Sequence, residues 1–166
     1  MLARTKVCHG MSYAISGRNK EQHVRYSHAD YTHLERPLVP HGISVCLTAP
    51  AVFRLTAHAS PERHAQALAA LAAPNSPHAA ADTSPDRRYR DADYVGGALA
   101  ERLLELMLEL RVPLGLHAIG FRAADVDALV AGTLPQRLIN SLAHLGEQRA
   151  VDAELLGELF RASMKY

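Results

Sequence analysis

The chain has 166 residues, with 18 Lys and Arg against 17 Asp and Glu and a formal net charge of +1. Composition therefore supplies no basic footprint for nucleic acid or for an anionic membrane surface. That length suits one domain, or part of one, and is short for a two-domain cofactor enzyme. Ala and Leu dominate, Trp is absent and β-branched residues are sparse, so the expected fold class is all-α.

Met1 to Val7 carries two basic residues and no apolar core, so it reads as a short lead-in and not as a secretory signal. Residues 8–166 then form one helical domain with loops at about 14–40 and 74–90. Cys8 and Cys46 are expected as small buried thiols in a reducing compartment, not as a disulfide. His9-Gly10 opens the first segment, and Ala14 to Arg36 shows no sustained period, which predicts a surface loop. Within it His23, His28 and His33 recur every five residues, a spacing that shares no helical face, so they read as scattered solvated side chains.

A second His-Gly pair, His41-Gly42, precedes the apolar run Ile43 to Phe53, which predicts a buried helix kinked at Pro50. The run falls short of the ~20 residues that span a bilayer. Ser60-Pro61-Glu62 is a helix start, with Ser as N-cap and Pro in the first turn, for a helix reaching about Ala73. Pro74 to Arg90 predicts a loop or partly disordered link, the most mobile part of the chain. From about Asp91 to Leu110 the steps Val95, Leu99, Leu103, Leu106 and Leu110 define the inward face of a helix ended by Val112-Pro113. Gly96-Gly97 inside it suggests a close helix contact. Short helices follow at Ala123 to Val130, closed by Gly132, and at Leu134 to Leu142, and Asp152 caps a last one through Met164. No internal repeat is expected.

His9 and His41 are the candidate metal ligands, because imidazole nitrogen suits iron and zinc alike and an adjacent Gly lets the backbone approach closely. On spacing alone a hydrogen-bonded role is the commoner one for histidines so placed.

The strings His9 to Gly17, Pro37 to Gly42, Thr48 to Phe53, Pro61 to His64, Gly132 to Gln136 and Leu159 to Met164 resemble, in this order, the iron-containing alcohol dehydrogenase family. They are most similar to its hydroxyacid-oxoacid transhydrogenase branch. The resemblance implies that the chain is the C-terminal all-helical domain of that fold, lacking the N-terminal α/β nucleotide-binding domain. It implies a divalent metal, Fe2+ or Zn2+, held by one Asp and three His, with the last two of these matching His9 and His41. The remaining ligands would lie upstream, and NAD(H) would bind through the missing domain, since no glycine-rich phosphate turn occurs here. The resemblance also implies that Tyr13 stands near the nicotinamide or substrate, with a packed aromatic as the equal alternative. The implied activity is hydride transfer between a hydroxyacid such as 4-hydroxybutyrate and an oxoacid such as 2-oxoglutarate, or NAD-linked alcohol oxidation. Arg54, Arg63 and Arg137 are the cations on hand for substrate carboxylates.

Implied partners are the small-molecule substrate, a separately encoded N-terminal half, and a second copy of the chain through apolar groups of Ile43 to Phe53 left uncovered. The alternative is an inactive truncated remnant or a non-catalytic helical module that binds a partner. A bacterial-type chain would work in the cytoplasm and a eukaryotic one in mitochondria.

Overall fold

The computed structural model describes residues 7–18, 24, 26, 28, 38–136 and 151–166, and among these the repetitive structure is helical. Helix α1 is Val7–Gly17, α2 is His41–Cys46 and α3 is Ala49–Thr56. Then come α4 at Pro61–Leu71, α5 at Ala92–Glu109, α6 at Val126–Thr133 and α7 at Ala153–Ala162. His23, His33, Arg137 and most of the helix expected at Leu134 to Leu142 lie outside the described residues. Leu134 itself is the C-cap of α6.

Two hydrophobic clusters organise these helices. The larger joins Val7, Met11 and Ile15 of α1 to Leu47 and Val52, Leu116 and Phe121, Leu129 of α6, and Leu156 and Phe160 of α7. The smaller joins Ala57, Leu68 of α4, Tyr89, and Val95 and Leu99 of α5. Phe53 is half-buried and packs against both, so α3 couples the two halves.

Several boundaries differ from the sequence reading. Residues 14–17 are not loop: Ala14 and Ile15 extend the buried face of α1 by another turn, and their packing carries the helix to Gly17. The apolar run is two helices and not one kinked helix. Pro50 sits in the first turn of α3, where its missing N–H costs nothing, and the break falls before it at Leu47-Thr48. Ile43, Val45 and Phe53 of that run are half-buried against the core, and Cys46 is exposed. Among the described residues the large side chains Leu108 and Leu110 are more exposed, at 66% and 73%. Leu110 thus leaves the expected core face because α5 ends at Glu109, and Met107 is the buried residue there. Arg111, with φ of 56°, turns the chain in a left-handed cap as Val112 N–H donates to Met107 O at 2.8 Å. Gly132 lies inside α6, where a Cβ would stand 3.2 Å from that of Ala14, so it serves the α1–α6 contact and does not end the helix.

The segment 74–90 is folded. Successive turns bond Ser76 N–H to Ala73 O and Ala81 N–H to His78 O, and Arg87–Arg90 form a 3-10 turn capped by the Asp86 carboxylate. The buried Tyr89 donates to Pro77 O at 2.8 Å and meets both His78 and Tyr94 edge to face, with the Arg88 guanidinium over Tyr89 and Tyr94. A polar, proline-rich stretch hid this aromatic anchor.

At the other end, Gly115 takes φ of 87° and its missing Cβ would lie 2.8 Å from Met164 O. That approach lets Leu116 and His117 donate backbone hydrogen bonds to Ser163 O and Met164 O. The tail so placed carries Tyr166 across the α2–α3 turn. Its hydroxyl donates to Leu47 O at 3.1 Å and accepts from Ala51 N–H at 3.4 Å, and burial pushes its pKa up.

A Cβ on Gly96 would stand 2.8 Å from Ala57 Cβ and 3.2 Å from the Arg54 backbone, whereas one on Gly97 meets nothing within 4 Å. The close contact expected of the pair belongs to Gly96 alone. Gly96→Ala is expected to cost about 1–3 kcal/mol in denaturant unfolding. Gly97→Ala should be neutral or stabilising by up to about 1 kcal/mol, since only helix propensity changes. Equal effects would contradict this assignment.

His64, buried on α4, places Nδ1 2.9 Å from Ser60 O and Nε2 3.0 Å from Thr56 Oγ1. Ser60 O can only accept, so Nδ1 carries the proton and Nε2 accepts from the threonine. Burial lowers its pKa below the usual 6.5, with the Ser60 bond opposing. The unfolded chain therefore takes up this proton first. The stabilising contribution is present above about pH 6.5 and is lost as pH falls through the lowered folded value. Unfolding midpoints should drop between about pH 7.5 and about pH 5.5, more steeply in the native chain than in His64→Gln. Identical slopes would exclude His64 as the source.

Candidate metal centre

Helix α1 buries Val7, Cys8, Gly10, Met11, Ser12, Ala14 and Ile15, leaving His9 and Tyr13, one turn apart, on its outer stripe. Pro40, extended at ψ of 143°, starts α2 at His41, whose ring emerges from the helix's first turn. The two imidazoles meet across the α1–α2 contact. Their Nε2 atoms are 3.1 Å apart and the ring centroids 4.6 Å, edge to face. Tyr13 completes the cluster, its ring centroid 5.8 Å from that of His9 and 5.6 Å from that of His41. All three side chains face outward, Tyr13 being 44% exposed.

The separation fits a shared cation. Two imidazole nitrogens at about 2.1 Å from one ion, at angles between octahedral and tetrahedral, stand roughly 2.9–3.4 Å apart. Among the described residues no third His, Cys, Asp or Glu joins the pair. Gly42 is exposed and a Cβ there would meet nothing within 4 Å, so close approach inside this chain does not explain that glycine.

Behind the rings lies a layer of serines that the residue-by-residue reading missed. Ser12 and Ser44 are both fully buried, and each donates its hydroxyl to the carbonyl of the imidazole residue three positions earlier, His9 O and His41 O, at 2.7 Å. Ser12 Oγ also stands 3.4 Å from His41 Nδ1, and Ser16 donates to Ser44 Oγ at 3.1 Å. The signal was present as a repeat: His9-Gly10-Met11-Ser12 and His41-Gly42-Ile43-Ser44 share the pattern His, Gly, apolar, Ser.

The other candidates stand apart. Arg54 and Arg63 are exposed on α3 and α4, and His28 is half-buried with its ring 6.5 Å from that of Tyr26.

The chain is 44% identical over 163 residues to hydroxyacid-oxoacid transhydrogenase, mitochondrial, of Homo sapiens, covering 98% of this chain and 30% of that protein. It is 41% identical to the Xenopus laevis protein of the same name, at 98% and 31% coverage. A probable hydroxyacid-oxoacid transhydrogenase of Dictyostelium discoideum is 39% identical over 157 residues, 95% of this chain and 25% of that one. This chain is similar to one part of the hydroxyacid-oxoacid transhydrogenases. It spans about a third of their length or less. No family model and no solved structure matches it. The transhydrogenase relationship and the all-helical fold agree with the sequence expectation.

The two cysteines separate. Cys8 is buried against the core and burial pushes its thiol pKa up to about 12. Cys46 is exposed, against expectation, because α2 turns only Ser44 fully inward. A thiol reagent should therefore modify Cys46 rapidly in the native chain and Cys8 only on unfolding. Cys46→Ala should remove the fast phase, and two fast thiols in the native chain would contradict the burial of Cys8.

Proposed function

We propose that this chain is the helical, metal-holding part of an oxidoreductase of the hydroxyacid-oxoacid transhydrogenase type. Hydride would pass between a small hydroxyacid and an oxoacid. The observation that carries the reading is the 3.1 Å approach of His9 Nε2 to His41 Nε2 on an outward face, in a chain whose relatives bear that enzyme's name. His9 and His41 supply two ligands to a divalent ion, Fe2+ or Zn2+, and residues outside this chain supply the others and the NAD(H) site. When bound, such an ion supplies Lewis-acid stabilisation of the oxygen on which charge develops during hydride transfer.

The chain's own residues orient and screen. The rigid α1–α2 pair holds both rings at ligand spacing, and the Tyr13 ring walls one side of them. Among the described residues the Tyr13 hydroxyl has no hydrogen-bond partner, which leaves it for a substrate or cofactor group. The relatives are named as mitochondrial, and a bacterial-type chain of this kind would act in the cytoplasm.

Titration of the purified chain with Zn2+ or Fe2+, beside a His9→Ala, His41→Ala double variant, tests the reading. One-to-one binding that the double variant loses is the expected result. Binding insensitive to both substitutions would overturn it. Hydride transfer itself is expected only when the rest of the enzyme is supplied.

A further inference from the structure

Ser12 does something that its twin Ser44 does not. A serine hydroxyl has one proton to donate. In Ser12 that proton goes to His9 O at 2.7 Å, so toward His41 Nδ1, 3.4 Å away, Oγ can only accept. The proton of the neutral His41 ring is thereby drawn to Nδ1, and the lone pair is left on Nε2. It follows that the 3.1 Å contact between the two Nε2 atoms has His9 as donor and His41 as acceptor when no ion is present. Ser44 ends its own chain of bonds on the His41 carbonyl and on Ser16, without touching either ring. The repeated motif is thus symmetric in backbone and asymmetric in what its serines do.

We propose that Ser12 is a positioning residue. It fixes the His41 tautomer so that Nε2 always presents its lone pair to the outer face, making His41 the preset ligand for a divalent cation. His9 is the ring that must surrender its Nε2 proton to Nδ1 before it can serve as the second ligand. The role rests on the metal reading above for its purpose, but not for its geometry. Ser12 is completely buried, so water does not reach its hydroxyl. Groups that orient a ligating His through its other nitrogen commonly change metal affinity 10–100-fold when removed.

The test separates the two claims. Long-range proton–nitrogen correlation spectra of the full, metal-free, nitrogen-15-labelled chain report each imidazole tautomer. They would be recorded at about pH 8, above the ordinary imidazole range, with His41→Ala assigning the signals. The expected native spectrum has His41 protonated on Nδ1. Ser12→Ala should move that proton toward Nε2. Ser44→Ala, which removes an equally buried hydroxyl from the same helix pair, should leave it in place. In parallel, Zn2+ affinity should fall roughly 10–100-fold in Ser12→Ala relative to Ser44→Ala. His41 protonated on Nε2 in the native chain, a Ser12→Ala spectrum like the native one, or equal Zn2+ affinity of the two variants would each overturn the proposal. If the native chain takes up no Zn2+ at all, the metal reading falls and the tautomer comparison alone decides the role of Ser12. Circular dichroism of both variants checks that α1 and α2 remain folded.

Discussion

The burial of α1 is the constraint on which the site depends. Val7, Met11 and Ile15 are completely buried, and Ala14 lies 3.2 Å from the place a Gly132 side chain would occupy. A helix held on so many sides has no freedom to roll. Its outer stripe is consequently fixed, and that stripe is His9 and Tyr13. Leu129 of α6 and Phe160 of α7 lie in the same cluster, so residues more than a hundred positions away set the direction in which His9 points. Packing of this density resists small rotations more firmly than a surface hydrogen bond could.

α2 needs a different explanation, because it is only six residues long and buries little beyond Ser44. Such a helix is not stable by itself. It is held at its ends. Pro40 sets where it starts, and Tyr166 satisfies the Leu47 carbonyl just beyond its last turn while also accepting from Ala51 N–H. The serine network then ties it sideways to α1, through Ser16 to Ser44 and Ser12 to His41. Buried hydroxyls that are all bonded specify one register between two helices, where an apolar contact alone would allow sliding.

Much of this was legible in residues 1 to 166 read in order, and the limits have physical causes. Ser60-Pro61 and Asp152 announced α4 and α7 because helix-start signals are local: Ser60 is the N-cap of α4 without a side-chain capping bond, with Pro61 in the first turn, and the Asp152 carboxylate accepts from Leu155 N–H at 2.8 Å. His9 and His41 could be named, but their meeting could not, since spacing of 32 residues says nothing of distance. Pro50 misled because a proline inside an apolar run reads equally as a kink or as a first turn. Which one it is depends on whether Leu47 and Thr48 can leave the helix, and that is decided by Tyr166 from the other end of the chain. Tyr89 was hidden for the same reason: its partners, Pro77, His78 and Tyr94, are brought together only by folding.

The position of the cluster on the molecule follows from these parts. His9, Tyr13, His41 and Gly42 are exposed, yet the groups that orient them, Ser12, Ser44 and Met11, are completely buried. An exposed imidazole ordinarily loses side-chain entropy when a ligand arrives. Here most of that ordering is already supplied by the fold, because ring contacts and the Ser12 bond restrict His41, while His9 is braced by Tyr13 and His41. The open side at Gly42, where an added Cβ would touch nothing, marks the direction from which further groups can approach. A surface that is preset in its rings and unobstructed outside them leaves further groups free to approach both imidazoles from the Gly42 side.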